Sequence, residues 1–217
     1  MSTAPTITRV TDDSPATVEQ YAKILSDAFG PGHVAQAMHG GNPEVVLARM
    51  RVRVYEGVKD LEVWSATAAG ETEPGAVLIV AAPGIVWGET PNAENEYNEK
   101  SKVLLADKPK AAAASKRIGE GFHELEERAW GPETTKPFYY ITYLATTPAA
   151  EGKGLGSALV AHITTRAKAE GEYAVLLTQN LENVEWYAKR GFRDVDQISF
   201  PVNDVPLTFW ALSTEGV

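Results

Sequence analysis

Hydrophobic residues near the start of the chain follow two different spacings. At residues 6–10 they alternate with polar residues, which predicts a short β-strand. From residue 15 to residue 29 they recur at steps of three and four, which predicts an amphipathic helix. The Asp-Asp-Ser-Pro sequence at residues 12–15 suits the start of that helix, and the Gly-Pro-Gly sequence at residues 30–32 suits its end. Residues 45–54 carry a second helical pattern.

Apolar runs predict most of a β-sheet. Residues 61–68 and 75–82 flank a turn-forming sequence and predict a hairpin. Residues 138–146 are apolar on both faces, as expected of a central strand that is covered on both sides. The elements predicted after that strand are a helix at residues 156–170, a strand at 173–178, a short helix at 183–189 and strands at 193–200 and 207–212.

The segment before the central strand has a different composition. Residues 91–136 are charged and alanine-rich, which predicts helices, and residues 110–115 resemble a solvated or loosely packed piece. A segment of this length could hardly bury a core of its own. The sequence therefore predicts a single domain over residues 1–217 with a helical insertion at about 91–136.

Composition narrows the possible chemistry. The 217 residues carry 20 basic and 29 acidic side chains, a net charge of −9, which argues against a nucleic-acid partner. The absence of cysteine excludes disulfides, thiolate metal sites and a cysteine nucleophile. The histidines lack metal-ligand spacing, so no metal is expected. No apolar run is long enough to cross a bilayer and the first residues do not form a secretory signal, so we expect a cytoplasmic protein with no membrane partner.

The most informative segment is the glycine-rich sequence at residues 151–157, between the central strand and the next helix. Gly152, Gly154 and Gly156 allow a tight turn that brings several backbone N–H groups towards one point. The following helix adds unpaired N–H groups and its positive dipole end, and Lys153 adds a full charge. This pattern favours a phosphate site over a purely structural turn. The spacings of a P-loop and of a dinucleotide fingerprint are absent.

Two segments resemble a known family. Residues 144–156, Leu-Ala-Thr-Thr-Pro-Ala-Ala-Glu-Gly-Lys-Gly-Leu-Gly, resemble the acyl-CoA-binding segment of the GCN5-related N-acetyltransferases (GNAT). Residues 183–192, Asn-Val-Glu-Trp-Tyr-Ala-Lys-Arg-Gly-Phe, resemble the family's second signature, in the family's order. The resemblance implies an α/β (α+β) fold with a mixed, mostly antiparallel central sheet, flanked by helices and splayed between its two central parallel strands.

The resemblance also implies roles for particular residues. Tyr187 would donate a proton to the departing thiolate of acetyl-CoA; the alternative is a tyrosine that only packs its ring on the core. Asn183 would bond the same cosubstrate, or would cap its helix. Backbone N–H groups beside a strand bulge would bind the pantetheine arm and the thioester oxygen. The residues expected to bind acetyl-CoA are Leu144, Ala145, Thr146, Glu151, Gly152, Lys153, Gly154, Leu155, Gly156, Ser157 and Asn183.

One position departs from the family's pattern. Glu151 stands where the family has arginine or glutamine, and a carboxylate beside a pyrophosphate is electrostatically unfavourable. Three outcomes are open: Glu151 points outward and contributes only its backbone N–H, Lys153 compensates for its charge, or the affinity for acetyl-CoA is low.

The general base is also open. An alkylammonium must lose a proton before it attacks, because its pKa is near 10. Strict alternation places Tyr140 and Thr142 on one face of the central strand, where they could orient a water molecule. The same alternation places Tyr139, Ile141 and Tyr143 on the other face. The alternative bases are glutamates of the insertion: Glu124, Glu126 and Glu127.

These observations predict an acetyl-CoA-dependent N-acetyltransferase that acts on a primary amine of a small molecule. Transfer would be direct, because no cysteine can carry an acyl intermediate. Trp87, Trp130 and Phe138 could line an aromatic pocket for the amine. The alternatives are acetylation of a protein lysine or N-terminus, and a catalytically silent acyl-CoA-binding sensor. The chain is expected to act as a monomer or a homodimer.

Overall fold

The computed structural model describes residues 4–131 and 137–215, and hydrophobic spacing determines most of its elements. The strands are β1 (Thr6–Val10), β2 (Glu62–Thr67), β3 (Ala76–Ala81), β4 (Phe138–Thr146), β5 (Tyr173–Thr178), β6 (Arg193–Val202) and β7 (Val205–Ser213). The helices are α1 (Pro15–Phe29), α2 (His33–His39), α3 (Pro43–Asp60), α4 (Glu96–Leu105), α5 (Pro109–Trp130), α6 (Leu155–Glu170) and α7 (Leu181–Ala188). Every strand expected from the sequence is present.

The strands form a mixed sheet in the order β1-β2-β3-β4-β5-β7-β6. Among the described strands, β4 and β5 are the parallel neighbours, and the other pairs are antiparallel. The β4–β5 ladder is short, running from Phe138 opposite Tyr173 to Tyr140 opposite Val175. Beyond Tyr140, strand β4 pairs with β3 alone, so β4 and β5 separate into a wedge. The predicted fold class is confirmed.

Strand β4 contains a β-bulge at Thr142. Tyr143 pairs with Ile79 whereas Ile141 pairs with Val80, so β4 accommodates one residue more than β3. The Thr142 hydroxyl donates a hydrogen bond of 3.2 Å to the Ile79 carbonyl, which holds the extra residue in place. The bulge lies just past the last β4–β5 pair, at the narrow end of the wedge.

The bulge changes which side chains share a face of the sheet. The extra residue returns Tyr143 to the face that holds Tyr140, and both pack in one hydrophobic cluster. Tyr139 and Ile141 pack in the cluster on the opposite face. The expectation that Tyr143 lies with Tyr139 and Ile141 is therefore wrong, because a bulge breaks the two-residue period of a strand.

Helices cover both faces of the sheet. Helices α1 and α3 bury residues such as Leu25 and Val54 against one face, and α6 buries Leu159 and Ile163 against the other. Each fully buried side chain of this size contributes about 1.5–3 kcal/mol to folding. Strand β4 is covered on both sides, which explains its continuous apolar sequence.

The predicted insertion forms α4 and α5; its residues 132–136 lie outside the described residues. Helix α5 packs against β6 and β7. Gly121 permits this close approach, because a Cβ atom there would lie 2.2 Å from a ring carbon of Phe200. Ala111 and Ala114 are buried at the start of α5. Residues 110–115 are therefore not loosely packed, since these alanines begin the buried face of the helix. The other side of the segment is solvated, as expected, because Lys110, Ala112 and Ala113 are exposed.

Helix α2 was not expected from the sequence. The helix has 7 residues between Gly32 and Gly40, too few for a clear periodic pattern. Val34 and Met38 pack against the cluster formed by α5, β6 and β7. These tertiary contacts stabilise α2, which is too short to be stable on its own.

Candidate active site

The glycine-rich turn presents a row of backbone N–H groups. Gly152 and Gly154 have φ angles of 75° and 78°, in the left-handed region that favours glycine. The first hydrogen bond of α6 runs from the Ala158 N–H to the Gly154 carbonyl, at 3.0 Å. The N–H groups at the start of α6 therefore have no acceptor within the helix and are directed to its N-terminal end. This arrangement suits a phosphate group.

The turn, the wedge and α7 enclose a cleft of about 590 Å³. The residues expected to bind acetyl-CoA line this cleft, with the exception of Lys153, and Tyr187 lines it too. A side chain at position 156 would crowd the cleft, because a Cβ atom on Gly156 would lie 3.2 Å from Thr146 Oγ1. The cleft therefore brings a phosphate-binding turn next to the unpaired edge of β4, as an elongated acyl-CoA requires.

The charged residues of the turn point to different partners. Lys153 is exposed and its ammonium forms an ion pair of 2.6 Å with Glu71, in the turn between β2 and β3. Glu151 is exposed at the rim of the cleft. Lys153 is therefore occupied elsewhere and does not offset the charge of Glu151 at the cleft.

Arg190 supplies the positive charge that the sequence analysis did not find. It follows α7 and lines the cleft, with its guanidinium carbon 3.3 Å from the centre of the Trp186 ring. The guanidinium donates hydrogen bonds of 2.6 and 3.0 Å to the Ser157 hydroxyl and one of 2.5 Å to the Trp186 carbonyl. No described carboxylate pairs with it. The sequence signal was its position four residues after Trp186, just past the end of α7.

Tyr187 lies in the cleft with its ring held by neighbours. The ring packs edge-on against Trp186 at 4.9 Å and against Phe192 at 5.4 Å. Its hydroxyl makes no hydrogen bond with residues 4–131 or 137–215. Burial raises the pKa of Tyr187, and Arg190 opposes this only in part. The phenol therefore keeps its proton at neutral pH and has it available for a ligand in the cleft.

Asn183 lies on the cleft side of α7 and does not cap the helix. Helix α7 begins at Leu181, two residues earlier than predicted, and Asn180 is its cap, accepting a hydrogen bond of 2.8 Å from the Glu182 N–H. The alternative role of Asn183 as a capping residue is therefore wrong. Asn183 is exposed and lines the cleft.

Comparisons with known proteins agree with this geometry. The sequence model of the acetyltransferase (GNAT) family matches residues 89–192, which include the bulged strand, the glycine-rich turn and α7. The match covers just under half of the chain, and over residues 89–192 the sequence is similar to the GNAT family. The matched region therefore has the sequence pattern of an acetyltransferase, a class of enzyme that takes its acyl group from acetyl-CoA. A comparison with curated protein sequences gives no match.

Several acetyltransferase structures share the fold over nearly the whole chain. One, from Corynebacterium glutamicum and described as histone acetyltransferase HPA2 and related acetyltransferase, is 16% identical with a TM-score of 0.62, covering 97% of this chain and 95% of its own. A polyamine N-acetyltransferase from Drosophila melanogaster is 14% identical with a TM-score of 0.58, covering 97% and 99%. NAA60 from Arabidopsis thaliana, in complex with acetyl-CoA, is 12% identical with a TM-score of 0.53, covering 97% and 97%.

Aromatic side chains gather at the narrow end of the wedge, beside the bulge. Tyr143 packs edge-on against Phe29 at 5.6 Å and against Trp87 at 6.0 Å. Tyr140 packs against Trp130 at 5.5 Å. We call these residues, together with Phe138 and Glu126, the aromatic region. The three aromatic residues singled out from the sequence, Trp87, Trp130 and Phe138, all belong to it.

A buried carboxylate lies in the aromatic region. The Tyr140 hydroxyl donates a hydrogen bond of 2.5 Å to Oε1 of Glu126, and both side chains are buried. Glu124 and Glu127, on the same helix, are exposed. Two of the alternative base candidates, Tyr140 and Glu126, are thus in direct contact, although they come from different elements.

Two further properties concern the described part of the chain. Residues 4–131 and 137–215 contain no group of three or more histidine, aspartate or glutamate side chains that could hold a metal ion. Within the same ranges, no helix has the length and apolar character needed to span a bilayer.

Proposed function

We propose that this GNAT enzyme transfers the acetyl group of acetyl-CoA directly to a primary amine of a small molecule. The observation that carries the proposal is the aromatic region at the narrow end of the wedge. Aromatic rings offer an apolar wall and an electron-rich face to a cationic amine. A surface for basic protein tails would instead expose carboxylates along a groove. The carboxylate of the aromatic region, Glu126, is buried.

The cleft would hold acetyl-CoA at two places. The N–H groups of the glycine-rich turn would bind the pyrophosphate, and Arg190 would provide the positive charge that offsets Glu151. The backbone of Leu144 to Thr146 has no β5 partner, so its N–H and carbonyl groups can pair with the amides of the pantetheine arm. This arrangement would direct the thioester towards the bulge.

Tyr187 would act as the general acid. The amine nitrogen forms a bond to the acetyl carbonyl carbon, the carbon–sulfur bond breaks, and the thiolate takes the hydroxyl proton of Tyr187. Backbone N–H groups next to the Thr142 bulge would stabilise the negative oxygen of the tetrahedral intermediate. The attacking nitrogen carries an extra proton after the bond forms and releases it to water, and water returns a proton to Tyr187.

Glu126 would act as the general base through Tyr140. The acceptor enters as an ammonium with a pKa near 10 and must lose a proton before attack. The Tyr140 hydroxyl already donates to Glu126, so it can accept a proton from the ammonium as its own proton moves to the carboxylate. The acid and the base would then act from opposite faces of the sheet.

The test is an acceptor screen that measures CoA release from acetyl-CoA and identifies products by mass spectrometry. The panel contains small primary amines, lysine peptides and peptides with free N-termini, assayed with the wild type and with Tyr187→Phe. We expect saturable acetylation of at least one small amine and a large loss in Tyr187→Phe. Acetylation of peptides alone would overturn the small-molecule assignment. Acetyl-CoA binding without any acetylated acceptor would favour a sensor.

A further inference from the structure

A second, smaller cavity lies between α3, α4 and the loop after β3. Its volume is about 240 Å³, and its polar lining includes two arginines one helical turn apart, Arg49 and Arg53. Asn98, Ser101 and Lys102 line it from α4, and Glu94 from the preceding loop. We call this cavity the arginine pocket.

The charges around the arginine pocket leave one cation without a partner. Arg53 donates a hydrogen bond of 3.1 Å to the buried carboxylate of Glu56, and Lys102 pairs with Glu94 at 3.0 Å. Arg49 is half-buried and forms no hydrogen bond or ion pair with residues 4–131 or 137–215. A half-buried guanidinium without an acceptor is costly, so an anion bound there would be favoured.

Electrostatics favours the same conclusion. Burial, and then the like charge of Arg53, lower the pKa of Arg49. An anion in the pocket would oppose both effects. The protein as a whole carries a net charge of −9, so a local excess of positive charge is unusual on this chain.

The arginine pocket adjoins the aromatic region. The Arg53 guanidinium carbon lies 5.1 Å from the centre of the Trp87 ring. Trp87 packs against Tyr143 in turn. The pocket is therefore one layer of side chains away from the place where the acceptor amine would meet the thioester.

We propose that the arginine pocket binds an anionic group, a carboxylate or a phosphate, carried by the acceptor amine. This inference rests on the proposed function, because it assumes that the amine occupies the aromatic region. Arg49 presents a planar fork that can bind two oxygens of one anion. Ser101 supplies a neutral hydroxyl donor beside it. The acceptor is then an amine of the amino-acid or amino-phosphate class.

The first experiment measures anion binding without turnover. Inorganic phosphate is titrated calorimetrically into enzyme saturated with CoA, so that the glycine-rich turn is already occupied. We expect Arg49→Gln to weaken phosphate binding at least tenfold. Arg51→Gln is the matched control, because Arg51 lies on the same helix and pairs with Glu19 on the outer face. Equal phosphate affinity in the wild type and Arg49→Gln would overturn the proposal that the pocket binds an anion.

The second experiment tests whether the anion belongs to the acceptor. Acetylation rates are compared for 3-aminopropanoate and propylamine, which differ in the carboxylate. We expect the wild type and Arg51→Gln to prefer 3-aminopropanoate at least tenfold in kcat/KM, and Arg49→Gln to lose that preference. Phosphate binding through Arg49 without any such preference would identify a site for free anions and overturn the acceptor role. If phosphate binds through Arg49 but no amine is acetylated, the proposed function fails and the anion pocket stands.

Discussion

Arg190 and Ser157 join two elements across the mouth of the cleft: the guanidinium of Arg190 donates hydrogen bonds of 2.6 and 3.0 Å to the Ser157 hydroxyl. Ser157 lies in the first turn of α6, and Arg190 follows α7. The contact therefore brings a positive charge to the helix end that would receive the pyrophosphate. Arg190 thus provides a cation at the cleft, although Glu151 replaces the arginine or glutamine that is usual in the family.

Replacing Arg190 should weaken the binding of acetyl-CoA. Arg190→Ala removes a charge-assisted contact worth about 1.5–3 kcal/mol, so we expect the Kd for acetyl-CoA to rise about tenfold or more. Lys189→Ala is the control, since Lys189 is the exposed neighbour and does not line the cleft. Isothermal titration measures both variants. Equal losses would mean that Arg190 acts only through the general surface charge.

Replacing Gly154 tests whether the conformation of the glycine-rich turn matters for acetyl-CoA binding. The φ of Gly154, 78°, lies in the left-handed region, where a side chain costs about 1–2 kcal/mol. Gly154→Ala should distort the turn and raise the KM for acetyl-CoA about tenfold, with a smaller change in kcat. Gly171→Ala is the control, because Gly171 has a φ of 76° at the other end of α6. A similar KM for acetyl-CoA in both variants would mean that the turn does not contribute to acetyl-CoA binding.

Tyr187→Phe should lower kcat and leave the affinity for acetyl-CoA nearly unchanged, because only the proton donor is lost. We expect a fall of about 100-fold, measured by CoA release at saturating substrates. Burial raises the pKa of Tyr187, so the phenol should stay protonated, and kcat should show no decline from its ionisation up to about pH 10. Tyr21→Phe, a buried tyrosine of α1, is the control. Full activity in Tyr187→Phe would remove the phenol from the mechanism.

Glu126→Gln tests the proposed base. The amide can still accept from Tyr140, but it cannot take a proton, so kcat/KM at pH 7 should fall about 100-fold. The difference in kcat/KM between the wild type and Glu126→Gln should shrink as the pH approaches the pKa of the free amine, near 10, because the acceptor then loses its proton without a base. Glu127→Gln, at an exposed neighbour, should behave as the wild type. A deficit that is constant with pH would indicate a structural role.

The parts of the fold that were predictable depend on local patterns. The strands and most helices follow from hydrophobic spacing, and the glycine-rich turn follows from Gly152, Gly154 and Gly156 at a strand-to-helix junction. Tyr187 was found because it belongs to a short motif with fixed spacing. Each of these signals is contained within about 20 residues of sequence.

The parts that were not predictable depend on contacts between distant residues. The bulge at Thr142 is defined by pairing with β3, some sixty residues earlier, and it decides which face holds Tyr143. Lys153 was expected to add a positive charge to the phosphate site, but its ammonium pairs with Glu71 in the turn between β2 and β3. Arg190 reaches the cleft only because α7 lies beside α6. Periodicity along the chain carries no information on these partners.

His39 should make the stability of the protein depend on pH. The side chain is buried at the end of α2, and Nδ1 has no hydrogen-bond partner. Burial, and then the charge of Arg49, lower the pKa of His39 from 6.5 to about 4. In the unfolded chain His39 binds a proton below about pH 6.5, whereas in the folded chain it does so only below about pH 4. The unfolded state therefore binds more protons between these values, and stability falls as the pH falls through this window.

The size of this effect can be measured by urea unfolding. At pH 5, about 1.5 pH units below the ordinary value, His39 should reduce the free energy of unfolding by about 2 kcal/mol relative to pH 8. His39→Gln cannot be protonated, so its stability should fall less between pH 8 and pH 5, by about this difference. His123→Gln, at an exposed position, should keep the full pH dependence of the wild type. If His39→Gln shows the same slope as the wild type, His39 is not the group that titrates, and other buried groups such as His162, whose pKa burial also lowers, become the candidates.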